Sequence, residues 1–122
     1  MMESRITAAL AVEFWKLLRA FERAGERLPR EQTARAAAQA RFSASRLEGL
    51  LREAGLSLVH LDGREFEPSL PATAINIEDF EGAENLLVDM TVEPAVVQGM
   101  QVILMGKVLL KREEGAHDVS RD

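Results

Sequence analysis

Cysteine is absent from the 122-residue chain, and so is tyrosine. The first absence excludes disulfides, thiolate nucleophiles and cysteine-based zinc sites. His60 and His117 are the only histidines, so a structural zinc site would need an unusual set of carboxylates. Aromatic residues make up 5% of the chain, five Phe and one Trp, so a core must be built from Leu, Val, Ile, Ala and Met. No apolar run approaches the roughly 18 residues of a membrane span. No apolar leader with a small-residue cleavage site opens the sequence, which reads as cytoplasmic and free of the membrane. Walker-type loops, GxGxxG, GxSxG and HExxH patterns are all missing, so the expectation is a protein that is not an enzyme and holds no cofactor or metal.

What is present is a globular composition, 47% hydrophobic and 29% charged, with an uneven distribution of charge. Residues 1–56 hold ten Lys/Arg and seven Asp/Glu, a balance of +3, whereas residues 57–122 hold five and thirteen, a balance of -8. Between Asp62 and Glu93 there are nine acidic residues and one basic residue, Arg64. An acidic face repels phosphates, and the mixed charge of the first half suits solvated helix faces, so nucleic acid is not an expected partner. The shift in charge marks an architectural boundary near Gly55.

Before that boundary the spacing predicts two antiparallel helices, about 4–27 and 30–54. Leu10, Phe14, Leu17, Phe21, Ala24 and Leu28 recur at alternating intervals of four and three, one stripe along a helix. Ser4 is a candidate N-cap, Gly25 a helix end, and Pro29 suits the first turn of the next helix. Ala37, Ala40, Ala44, Leu47, Leu51 and Ala54 form the second stripe. Gly55 followed by Leu56 has the form of a glycine helix stop. Each helix also carries a second apolar row, Ala11, Trp15 and Leu18 on the first, Ala36 and Leu50 on the second. That surplus points to a homodimeric four-helix bundle with Leu10, Phe14, Leu17, Phe21, Leu47 and Leu51 in its seam. The alternative is that the surplus rows pack on the chain's own second half.

After the boundary the pattern predicts short strands, and hence an α+β chain: a helical dimerisation hairpin over 1–55, a small all-β head over 56–112 and a polar tail over 113–122. Asp62-Gly63, Glu81-Gly82 and Gln98-Gly99 are turn signals. Ile75 and Ile77 read as inward-facing strand residues. Leu86, Val88, Met90 and Val92 alternate with Leu87, Asp89, Thr91 and Glu93, so the first set is expected inward. Pro94 ends that strand or puts it at an edge, and Gly106 reads as a bulge in a last strand from about Gln101 to Lys111.

Candidate chemistry is sparse. His60 lies in an apolar strand, where a packed or surface imidazole fits better than a catalyst. Glu78-Asp79 and Glu113-Glu114 are adjacent carboxylates, which point to opposite sides of a strand and make no acid–base pair.

The run Leu50-Leu51-Arg52-Glu53-Ala54-Gly55-Leu56-Ser57-Leu58-Val59, followed by Gly63-Arg64-Glu65-Phe66-Glu67-Pro68-Ser69-Leu70-Pro71-Ala72, resembles the GrpE family of Hsp70 nucleotide exchange factors. In that family a helix ending in glycine leads through a strand to a G-x-x-[FL]-D-P-x-x-H motif, then to an acidic loop and a final pair of strands around a turn glycine. Here Glu67 stands for the Asp and Pro71 for the His. Met100 falls where the family has an arginine after the turn glycine, and Ile103 or Leu104 where it has a second. The resemblance spans about residues 10–112 and implies a chain without the family's long N-terminal helix. It implies a homodimeric co-chaperone whose β-head binds the ATPase domain of an Hsp70-like (DnaK-type) chaperone and promotes ADP release. Phe66, Pro68, Met100, Ile103 and Leu110 are the candidate partner-facing residues. The lost arginines imply a dedicated partner, or an adaptor that keeps the scaffold without exchange activity.

Overall fold

The computed structural model describes residues 2–80, 82 and 85–113. Two helices of equal length, α1 (Met2–Gly25) and α2 (Arg30–Glu53), form an antiparallel hairpin. The helix starts two residues before the expected cap, so Ser4 lies inside α1. At the bend, Thr33 Oγ1 lies 2.9 Å from the carbonyl oxygen of Gly25 and 2.8 Å from that of Leu28, and its single proton is shared between them, holding the connection closed. Pro29 sits one residue earlier than expected, as the N-cap of α2, with extended backbone that leads into the helix. A Cβ at Gly25 would come within 2.9 Å of the Ala36 Cβ, so two small residues set the helix spacing there.

The end of α2 is the predicted glycine stop. Leu56 N donates to Leu51 O (2.8 Å), Gly55 N donates to Arg52 O (3.0 Å), and Gly55 has φ +78°. That pair of bonds is the Schellman arrangement. It folds Leu56 back into a fully buried position and directs the chain into the head.

The head consists of β1 (Ser57–Val59), β2 (Ala72–Ala74), a short 3-10 helix (Ile77–Phe80), β3 (Leu86–Glu93), β4 (Ala95–Gln98), β5 (Gln101–Leu104) and β6 (Gly106–Arg112). They form two three-stranded sheets, β1-β4-β5 and β2-β6-β3. The first is antiparallel, whereas β2 runs parallel to β6 in the second. The chain changes sheet three times, once over the long connection from β1 to β2 and twice across a single residue, at Pro94 between β3 and β4 and at Met105 between β5 and β6. Pro94 therefore makes a corner between sheets and is fully buried. The expected single last strand is two strands, and Gly106 is the second corner. A Cβ there would approach Glu93 O at 2.9 Å, Ala95 N at 3.0 Å and Leu61 Cδ1 at 3.0 Å.

Two further expectations fail at irregularities of the backbone. The β3–β6 register slips between Val88 and Met90 and again between Thr91 and Glu93. A bulge shifts the alternation by one residue, so Met90 turns outward and Thr91 is buried. Ile75 and Ile77 are exposed because β2 stops at Ala74 and the chain turns into the 3-10 helix.

One core lies inside the head, around Leu61, Val88, Val108 and Leu110. A second joins head to helices, with Ala8, Ala11 and Val12 of α1 against Leu51, Leu56 and Val96. The boundary near Gly55 is thus bridged by shared packing. The polar tail expected over 113–122 falls, apart from Glu113, outside the described residues, as does His117.

Candidate interaction site

The sequence-predicted partner residues separate into three environments. Met100 stands at the tip of the β4–β5 hairpin with its side chain wholly in solvent (103% relative exposure). Gln98 pairs with Gln101, leaving Gly99 and Met100 as a two-residue loop. Gly99 has φ +59° and Met100 does not share the positive sign, which is the type II′ pattern that suits strand twist. Pro68 is exposed. Phe66 and Ile103 are half-buried, Phe66 against the head core and Ile103 against the junction core. Leu110 is a core residue of β6 at 3% exposure, so it has no surface to offer a partner. Its alternation with Val108 on a central strand dictates this position.

Val102 on β5 and Met105 just after its end are also exposed. The first was detectable as the period-two neighbour of Met100. The exposure of Met105 follows from the sheet change, which no local pattern signals.

The seam residues divide in the same way. Leu10 (67%), Phe14 (43%), Leu17 (69%) and Phe21 (43%) form a bare stripe along α1, and Ile6 prolongs it. Leu47 is half-buried, and Leu51 is buried in the junction core, inside its own chain. The second row of α1 explains this outcome. Ala8, Ala11, Val12 and Trp15 are buried, several of them against the head. At 100° per residue Leu10 lies about 160° round the helix from Ala8 and Val12. The head therefore occupies one face of α1 and leaves the other uncovered. Leu10, Phe14, Leu47 and Leu50 line a hollow of about 210 Å³ between the two helices on that bare side.

Charged contacts fix the head on the arm. Lys16 Nζ donates to Glu93 Oε2 at 3.0 Å, and Glu93 also meets Lys107 at 3.7 Å. The hydrogen bond to Glu93, with help from Glu13, pushes the Lys16 ammonium above its ordinary pKa of 10.5. Arg19 lies 4.9 Å above the Trp15 ring and 3.9 Å from Asp62. Trp15, Lys16 and Arg19 line an open groove of about 510 Å³ between α1 and β3.

Among the described residues no group of three His, Asp or Glu side chains converges to hold a metal ion. The only histidine described, His60, is exposed and lies 3.4 Å from an exposed Glu48 carboxylate. Glu78 and Asp79 are exposed on the 3-10 helix. Among the described residues no helix is long and apolar enough to cross a membrane. What the arrangement offers is contact surface: an apolar helix stripe and an apolar hairpin tip at separate places on one unit joined by a shared core. No family model, curated protein or solved structure matches the chain.

Proposed function

We propose that this chain is a GrpE-like co-chaperone that speeds ADP release from a dedicated Hsp70-like chaperone and performs no covalent chemistry itself. The reading rests first on the order of elements: helical hairpin, glycine stop, short strand, turn at Gly63, and a head ending in a hairpin turn and last strand. The observation that carries it is Met100, a flexible thioether held fully in solvent at the tip of a paired hairpin. Such a side chain suits a contact that must adapt to a partner surface. Phe66 supports the head from within, packed against its core.

The mechanism is a difference in affinity. A head that binds the open, nucleotide-poor form of an ATPase domain more tightly than the closed form shifts the population toward open and lets ADP leave. Each tenfold gain in release rate requires about 1.4 kcal/mol of preferential binding to the transition state for opening. A second copy of the chain covers the bare stripe of α1, and the shared junction core transmits the position of the dimer to the head.

Stopped-flow release of a fluorescent ADP analogue tests the reading. Acceleration is expected with the cognate chaperone from the same source, and little or none with a generic one, because Met100 and Ile103 stand where the family has arginines. If neither chaperone responds at saturating protein, and Met100→Arg creates no response, exchange activity is rejected. The chain is then a dimeric adaptor on this scaffold.

A further inference from the structure

We infer that the outer edge of β1 docks an extended acidic segment of a partner protein, which joins the β1-β4-β5 sheet as a fourth strand. The inference is independent of the exchange-factor reading. Strand order places β1 at the rim of its sheet. Among the described residues no backbone hydrogen bond reaches Ser57–His60 from outside that sheet. The other rims differ. β3 is covered by the 63–66 segment, through Gly63 N to Val88 O, Val88 N to Arg64 O and Phe66 N to Leu86 O. β5 lies against α1. The amide of Ala72 at the start of β2 is turned back to Leu70 O.

Arg52 lies at the open edge beside Ser57 and Leu58, and two further arginines continue its row along α2 away from β1, with Glu48 between the nearer two. Arg30, Arg41 and Arg52 are spaced by eleven residues, three helical turns, so they share one side of α2 at intervals of about 16 Å. Glu48 lies on the same side and reaches His60 Nε2 at 3.4 Å, which shows that this side faces β1. Arg52 and Glu48 form a hollow of about 210 Å³ with Ser57 and Leu58. Among the described residues none of the three arginines has a carboxylate within 4.0 Å, although the chain as a whole is acidic.

The two features select one kind of occupant. Outward N–H and C=O groups in alternation are met by another polypeptide strand, and a phosphate chain has no donors for them. The gap between Arg41 and Arg52 equals about five residues of extended chain. Alternate acidic residues along a strand all face one side, here toward α2.

The probe is a blocked heptapeptide of four Glu alternating with three Val, titrated into the ¹⁵N-labelled full chain. Shifts concentrated on the Ser57–His60 amides are expected, with their protection from exchange increased. Arg41→Glu with Arg52→Glu, both exposed positions, should weaken binding at least tenfold. The same peptide N-methylated at alternate residues keeps its charge and loses its backbone donors, and should also bind at least tenfold more weakly. Undiminished binding of the methylated peptide would show simple charge attraction and overturn strand addition. No shifts at 57–60, or equal binding of a heptapeptide with Lys in place of Glu, would overturn the proposal as well.

Discussion

Asn76 holds the backbone of Leu110 with both arms of its amide. Leu110 N donates to Asn76 Oδ1 at 2.8 Å, and Asn76 Nδ2 donates to Leu110 O at 3.1 Å. The side chain thereby continues the ladder where β2 has ended, one step beyond the bond from Ile75 N to Val108 O. It closes a rim of the sheet without a further strand.

Replacing Asn76 with Ala leaves a donor and an acceptor of a central strand unpaired in a half-buried setting. The expected cost is about 1–3 kcal/mol, read as a lower urea midpoint with unchanged slope. Asn76→Asp removes the donor and sets a carboxylate against the Leu110 carbonyl. That variant should be less stable than Asn76→Ala at neutral pH and should recover as acid protonates the new carboxyl.

Thr91 predicts the opposite sign. Its hydroxyl is buried by the shifted register of β3 and has no hydrogen-bond partner among the described residues. Thr91→Val exchanges that hydroxyl for a methyl group of similar size and should stabilise the chain by about 1 kcal/mol. Thr91 N still donates to Asp62 Oδ1 at 2.7 Å in the variant, since that bond uses the backbone. A lower urea midpoint for Thr91→Val would contradict the buried-hydroxyl argument.

Gly106→Ala introduces a Cβ against two backbone atoms at 2.9 and 3.0 Å, which have little room to move at the corner between sheets. Destabilisation of about 1–3 kcal/mol is expected, the usual penalty of overpacking. Gly49→Ala, where nothing lies within 4 Å of the new atom, is the matched control and should be neutral or stabilising.

Leu17 separates self-association from folding. It is 69% exposed in the single chain, so Leu17→Lys should leave the circular dichroism and thermal midpoint of dilute protein nearly unchanged. In the proposed dimer it buries an unpaired ammonium, and the variant should sediment as a monomer at micromolar concentration. A wild-type chain that is itself monomeric there would remove the second copy from the proposal.

The helices and turns were legible because their signals are local. The 3.6-residue period bounded α1 and α2 to within a few residues, and Gly55, Gly63 and Gly99 all take positive φ where turns were expected. The role of each helix face was not legible. Both apolar rows of α1 have the same period, and only the docking of the head decides that Ala11 and Trp15 go inside while Leu10 and Leu17 stay bare. The fate of Thr91 depended on a bulge set by the partner strand, and that of Ile77 on a strand ending early. Leu51 and Leu110 were apolar in the right rhythm, which identifies a buried side chain without saying whether its own chain or another one covers it.

The sheet changes at Pro94 and Met105 bear on the order in which the molecule is made. β6 is the central strand of its sheet, and it lies late in the sequence, so β2 and β3 wait for it during synthesis. β1 likewise waits for β4, some 40 residues downstream by the register of Ser57 with Val97. The helical hairpin, complete by Glu53, can form while the acidic head is still an unpaired chain. Nascent protein thus exposes the bare stripe of α1 before the head exists, and with it the Ala8, Ala11 and Val12 row that the head later covers.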